Sequence, residues 1–199
     1  MSATPPTAVH HVGFDALGSV LNTLTLAFAT DPIVRYAFPR PDGYLAGYPA
    51  MVEAMAGQGA AAGGAWLTED GSAAALWRPP GIEPDDAGVG AALAAHAARH
   101  RMETLGEFGA EIDRYHPTAP HWYLCMLGVD PSRQGQGLGS AVLKAGLRRC
   151  DEDGLIAYLE SSHPRNIPLY ERHGFEVMGV IQTRDMPPFY PMIRQARRA

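Results

Sequence analysis

The sequence predicts an α/β domain built around one strand–helix–strand crossover, and three observations carry that reading. Trp122 to Leu127 is a run of six apolar residues without alternation, as expected of a strand covered on both faces. After the glycine-rich stretch RQGQGLGS (Arg133–Ser140), the residues Ser140, Lys144, Arg148 and Asp151 fall on one narrow polar stripe of a helix, and nearly everything else there is apolar or small. A second non-alternating strand, GLIAYLES, follows at 154–161. Strand, crossover helix, strand makes the two strands parallel neighbours.

The remaining elements fit around this unit. Residues 1–8 are rich in Pro, Thr and Ala and are expected to be disordered. Phe14 to Thr30 carries apolar residues at helical spacing (Leu17, Leu21, Leu24, Phe28) and stops at Thr30-Asp31-Pro32. A second helix, rich in Ala, Gly and Met, is expected over Leu45–Gly57. Residues 64–81 read as a β-hairpin turning at Asp70-Gly71 and ended by Pro79, Pro80 and Gly81. From Pro84 to His116 the pattern is alanine-rich and helical, enough for two helices. Beyond the crossover, NIPLYERHG (166–174) reads as a short helix with Asn166 as cap and Gly174 just past its end. A last strand pair, FEVMGVIQ and FYPMIRQ, closes the sheet. There is no internal repeat, so residues 9–199 form a single domain.

Composition narrows the function. The chain has 199 residues, 46% hydrophobic and 19% charged, which suits an ordinary globular domain with a sizeable core. A formal net charge of −5 argues against nucleic acid, whose phosphates need a clustered basic surface. The tail RQARRA is the one basic cluster and reads as a solvated terminus. No apolar run approaches the roughly 20 residues that span a bilayer, so no membrane association is expected. The first residues lack the basic start and hydrophobic centre of a signal peptide. Cys125 and Cys150 stand in apolar segments outside any metal-ligand spacing, which implies buried thiols, no metal and a reducing, cytoplasmic setting.

The glycine loop admits three phosphate-binding readings. A P-loop needs Lys before its Ser/Thr, but Ser140 follows Gly139 directly. A dinucleotide fold needs G-x-G-x-x-G immediately after its strand, with an acid about 20 residues on. Glu160 would supply the acid, but the glycines run G-x-G-x-G and begin six residues past Val129. The third pattern is Gln-x-x-Gly-x-Gly, met by Gln134, Gly137 and Gly139.

That pattern resembles the acetyl-coenzyme-A loop of the GNAT acetyltransferase superfamily. Its flanks, LGVDPSRQGQGLGSAVL and then AYLESSHPRNIPLYERHGFEV, are similar to the family's whole cofactor half in the same order. AFATDPIVRYAFP, AWLTEDGSAAALW and APHWYLCMLGVDPSRQGQGLGSAVL resemble the branch that includes puromycin N-acetyltransferase, although the tail MPPFYPMIR departs from it. The resemblance implies the GNAT fold: a central mixed, mostly antiparallel sheet with one parallel, splayed strand pair, flanked by helices. Residues 9–120 would form the acceptor side and 121–199 the acetyl-coenzyme-A-binding half. It implies an N-acetyltransferase for a small-molecule amine, as a monomer or homodimer.

By the same resemblance Leu127, Gly128 and Val129 would lie along the pantetheine arm, and Gln134, Gly135, Gln136, Gly137, Leu138, Gly139 and Ser140 would cradle the pyrophosphate. A helix N-terminus suits that anion on physical grounds too, since its N–H groups are unpaired and its dipole favours negative charge. Asn166 would approach the coenzyme, or cap its helix, or both. Tyr170 matches the tyrosine that donates to the departing thiolate; a phenol near pKa 10 keeps its proton at neutral pH. Glu160 is the candidate general base, or else a structural carboxylate at the turn after its strand, with His121 a weaker candidate. Asp31 could pair with an ammonium group or serve only as a turn residue, and Tyr36 is expected to line the acceptor side. The rival reading is an acetyl-coenzyme-A-binding sensor module without turnover.

Overall fold

Seven strands form one sheet in the order β1-β2-β3-β4-β5-β7-β6 in the computed structural model, which describes residues 7–197. The strands are β1 (Val9–Val12), β2 (Ala65–Thr68), β3 (Ala73–Arg78), β4 (His121–Val129), β5 (Ile156–Ser161), β6 (Glu176–Val177) and β7 (Tyr190–Arg194). All neighbours are antiparallel except β4 and β5. This is the mixed, mostly antiparallel GNAT sheet that the resemblance implied. The expected disordered N-terminus lies outside the described residues but for Thr7 and Ala8, and the Ala8 carbonyl accepts from the Glu69 N–H at 2.9 Å. β1 was not legible: VHHV is only four residues long, and its two adjacent histidines break the alternation of a half-buried strand.

Among the described residues, seven α-helices flank the sheet: α1 (Leu17–Ala27), α2 (Pro32–Ala37), α3 (Pro41–Ala61), α4 (Asp86–His96), α5 (Met102–Tyr115), α6 (Leu138–Glu152) and α7 (Ile167–Arg172). On one face, α6 and α7 bury Leu143, Leu147 and Tyr170 against Trp77, Trp122, Leu124 and Leu159. Trp66, Trp77 and Trp122 meet pairwise there, with ring centroids 6.5 Å apart at steep angles, a favourable arrangement for aromatic quadrupoles. On the other face, α1 and α3 bury Val20, Leu24, Tyr48 and Val52 against Leu76 and Ala74. A third cluster joins Tyr36 of α2 and Phe108 of α5 to Ile181 and Met186 of the β6–β7 connection.

The polar stripe of α6 is a fastening as well as a solvated face. Lys144 and Arg148 are exposed, whereas Asp151 receives both guanidinium nitrogens of Arg194 at 2.8 and 2.9 Å. Arg194 is buried, and its Nε also donates to the His173 carbonyl at 2.9 Å. The reading of RQARRA as a solvated terminus is therefore corrected at its first residue, because Arg194 belongs to β7 and pins it to α6 and to the end of α7. The last strand pair is also shorter than expected. β6 holds two residues, and the chain then leaves the sheet to cover α5.

Helix α6 packs so closely that Gly146 carries no side chain by necessity: a Cβ there would lie 2.3 Å from Trp77 Nε1. Within an exposed helix, Gly to Ala gains up to about 1 kcal/mol. Here overpacking against a fixed indole, about 1–3 kcal/mol, reverses the sign. Gly146→Ala is expected to lower the melting temperature by several degrees, measurable by circular dichroism.

Candidate active site

The site begins where β4 and β5 part. Their pairing runs from His121–Ile156 to Leu124–Leu159 and stops there, although β4 continues to Val129 alongside β3. The cause lies on β4's other side. Leu76 faces Met126 while Trp77 faces Leu124, so Cys125 is an extra residue opposite no partner. Such a bulge bends its strand and increases its twist. Beyond it, the backbone groups of Cys125 to Val129 that would face β5 have no strand to pair with. Leu127, Gly128 and Val129 therefore line an open cleft edge with free main-chain donors and acceptors.

The glycine loop closes one end of the cleft. Gly135 and Gly137 have φ of +76° and +82°, and Gly137 forms the cap of α6 with no side chain bonding its free amides. A Cβ at either glycine would meet nothing within 4 Å, so the backbone conformation is what demands glycine here. Gln134, Gly135, Gln136 and Gly137 are exposed, whereas Leu138 is buried and anchors the helix start. Arg133 holds the loop from outside, bonding Gln136 at 3.1 Å and Asp70 of the β2–β3 turn at 3.0 Å. Ser140 bonds His173 Nε2 at 2.9 Å, which ties α6 to the end of α7. Free amides, absent side chains and an uncapped 15-residue helix suit the pyrophosphate of a coenzyme.

Glu160 is the first β5 residue past the last β4–β5 pair, and it points to the face opposite α6 and α7. Its side chain is only 2% exposed. Tyr123 donates to Oε2 at 2.7 Å, while Tyr158 lies beside the carboxyl without a formed hydrogen bond, and Oε1 is sealed and unpartnered. Burial pushes this carboxyl up to about 7, against the opposing pull of Tyr123, Tyr158 and the charge of Arg78. His116, just past α5, stands 3.7 Å from Oε1.

Across the parting, Tyr170 packs on the α6–α7 side against Phe175, with ring centroids 5.9 Å apart. Burial, and secondarily the charge of Asp31, holds its phenol above the ordinary range, so it keeps its proton. Asp31 caps α2, accepting from the Ile33 and Val34 amides at 3.0 Å each, and receives the Ser162 hydroxyl at 2.5 Å. Burial raises its pKa despite these bonds. Three of its acceptor positions are thus occupied by the protein. Asn166 ends a short 3-10 turn and makes no side-chain cap bond, so the expected capping role is not observed. Tyr36 packs with Phe108, Ile181 and Met186 and donates to Asp185 at 2.7 Å under the Arg101 guanidinium. His121 bonds the Ala119 carbonyl at 2.8 Å and borders a separate cavity.

A glycine cradle at a helix start beside two parted parallel strands defines an acyl-coenzyme-A-binding acetyltransferase fold. The comparisons agree with that fold. The acetyltransferase (GNAT) family model matches residues 108–175, which span α5 to α7 and include the parting and the loop. A Corynebacterium glutamicum structure described as histone acetyltransferase HPA2 and related acetyltransferase superposes with a TM-score of 0.70 at 28% identity, covering 97% of this chain and 98% of that one. Drosophila melanogaster polyamine N-acetyltransferase gives 0.68 at 15% identity, over 94% and 99%. In sequence, an uncharacterized N-acetyltransferase of Schizosaccharomyces pombe is 40% identical over 77 residues, 37% of this chain and 31% of that protein. Mycothiol acetyltransferase of Propionibacterium freudenreichii is 40% identical over 62 residues, 30% and 20%. The chain thus spans less than a third of these curated relatives. It has the GNAT fold, and residues 108–175 are similar in sequence to the GNAT family.

Sequence reasoning missed Tyr123, Tyr158, Ser162 and His116. Tyr158 could have been found by parity, since two residues before Glu160 on a strand share its face. His116 could not, because only the fold carries the end of α5 to this strand. The pH dependence of Glu160 is testable. A carboxyl raised from about 4.3 unfolded to about 7 folded contributes stability that is full below the unfolded value and is lost as pH rises through 7. Glu160→Gln, a mimic of the protonated form, is expected to melt higher than wild type at pH 8.5 by an amount worth up to about 3 kcal/mol, with the difference shrinking toward pH 5. A constant difference across that range would contradict the assignment.

Proposed function

We propose that the chain is an acetyl-coenzyme-A-dependent N-acetyltransferase that moves the acetyl group directly onto the amine of a small molecule. The observation that carries this reading is the pairing of Glu160 and Tyr170 on opposite sides of the β4–β5 parting, next to an uncapped helix start. Residues 134–140 would hold the pyrophosphate, and the free backbone of Leu127, Gly128 and Val129 would align the pantetheine, with Asn166 alongside. Acetyl-coenzyme A supplies an activated thioester. Everything else is positioning and proton management.

Glu160 takes the proton of the attacking amine, a task suited to a carboxyl poised near neutral pH. Tyr170 holds a proton for the leaving sulfur, and free amides of β4 offer donors for the carbonyl oxygen as charge develops. Neither cysteine fits an acyl-carrier role. Burial raises both thiols to about 12, and Cys150 sits near the far end of α6. The buried Asp31 carboxylate on the acceptor side suits a cationic amine, with Ser162 reorienting to share it. The relatives named for mycothiol and polyamine acetylation widen the acceptor choice beyond puromycin, which rests on sequence resemblance alone. A cytoplasmic setting follows from free, buried thiols.

The test is release of coenzyme A thiol from acetyl-coenzyme A with puromycin, spermidine, tyramine or cysteamine as acceptor. Amine-dependent release is expected, with Tyr170→Phe and Glu160→Gln each lowering kcat by about 100-fold. Gly137→Val, forcing a β-branched residue to φ near +82°, should weaken acetyl-coenzyme A binding in calorimetry while leaving α6 folded. Tight binding without turnover of any acceptor would favour the sensor reading instead.

A further inference from the structure

The groups behind Glu160, away from the cleft, have no role in the reading above. His116 presents Nδ1 3.7 Å from Glu160 Oε1, and neither atom has a hydrogen-bond partner. Its Nε2 is likewise sealed and unpartnered. A buried unpaired polar atom costs about 1–3 kcal/mol, so three in one contact call for an explanation. The ring sits among Tyr123 and Tyr158, each 4.7 Å away between centroids, and His121 at 5.4 Å. His116, His121 and Tyr123 also line a cavity of about 510 Å³, together with Arg78 and Glu83, at the end of β4 remote from the glycine loop. One imidazole therefore separates a buried carboxyl from a second opening to solvent.

We propose that His116 is a positioning residue that carries the proton collected by Glu160 out to this second cavity, so that the proton leaves on the side away from the bound substrates. The inference rests on Glu160 being the base. The amine N–H bond breaks as an O–H bond forms on Glu160. That O–H breaks as an N–H forms at His116 Nδ1, giving an imidazolium. The ring, which no hydrogen bond restrains, then turns Nδ1 toward the cavity, where this N–H breaks to water, and turns back neutral with Nδ1 free to accept again. The carboxylate is then ready for another turnover without waiting for the cleft to open.

The electrostatic surroundings support a transient rather than a standing charge on the ring. Burial, then His121 and Arg78, push His116 down to about 4, so it is neutral at rest and releases a proton readily. Facing Glu160 are Tyr123 and Cys125 of β4, Tyr158 of its own strand, Arg78 of β3 and His116 beyond α5. Arg78 lies over the Tyr123 ring, 5.1 Å from its centroid. The other ionisable group lining the cavity is Glu83, of the loop after β3.

Two measurements test this. In the free protein, the infrared band of a protonated carboxyl, assigned by its loss in Glu160→Gln, is titrated in wild type and His116→Phe. An Nδ1 that accepts from the protonated carboxyl favours that form, so its loss predicts a midpoint moved downward by about half a pH unit or more in His116→Phe; an unmoved or raised midpoint overturns the proposal. In turnover with the best of the four amines, His116→Ala should lower kcat by about 10–100-fold at unchanged KM for acetyl-coenzyme A, and added imidazole should restore it. His116→Asn, which keeps the packing, should show the same loss without rescue. If Glu160→Gln is inactive while both His116 variants keep wild-type kcat and pH profile, the relay is wrong and the base stands. If Glu160→Gln keeps full activity, base and relay both fall.

Discussion

The extra residue at Cys125 is the constraint on which the rest of the site depends. Two parallel strands joined by a crossover helix would ordinarily pair along their whole length, and β4 has nine residues available against six of β5. The bulge bends β4 after Leu124, and β5 goes on to pair with β7 instead. A gap opens inside a continuous sheet. It has hydrophobic walls on both faces and unpaired backbone along one edge, which is an unusual place for a folded protein to leave polar groups. A thioester-bearing chain laid into that gap would satisfy them.

The bulge also explains a feature of the sequence. Trp122 and Leu124 point toward α6, but so do Leu127 and Val129, because the inserted residue reverses the parity of the strand. WYLCMLGV thus shows no alternation for two reasons, burial on both faces and a change of phase in the middle. The sequence reading caught the first. It had no means to catch the second, since a bulge leaves no mark in hydrophobicity when both faces are covered. The same limit hid the chemistry around Glu160. A loop with Gln134, Gly137 and Gly139 at fixed spacing is legible because its pattern lies within a few consecutive residues. A carboxyl pocket assembled from β3, β4, β5 and the end of α5 has no local signature, and Tyr123 and Tyr158 read as ordinary strand aromatics.

The reading of Asp31 shows how two roles coexist in one residue. As an N-cap followed by proline it satisfies orphan amides of α2, which is what the Thr-Asp-Pro stretch suggests. Its second oxygen reaches across to Ser162, just past β5, joining the start of α2 to the end of β5. A helix cap needs no such bond. Asn166 is the opposite case: placed at a helix start where capping would be expected, it caps nothing, which leaves its side chain free for the coenzyme contact proposed above.

The distribution of unsatisfied groups separates structure from function. Among the described residues, six side-chain polar atoms are sealed without partners, and four of them belong to Glu160, His116 and Tyr158. The rest of the domain meets its polar obligations closely; buried Arg194, for example, has all of its bonds directed at Asp151 and His173. A fold able to satisfy a buried guanidinium so fully could have replaced Glu160 with an apolar residue, since exchanging an incompletely paired buried ion for packed hydrophobic volume is commonly neutral or stabilising. Retaining a carboxyl that burial raises to about 7 destabilises the domain at neutral pH. Stability gives no reason to keep that group, and the proton transfer proposed at the parting of β4 and β5 would.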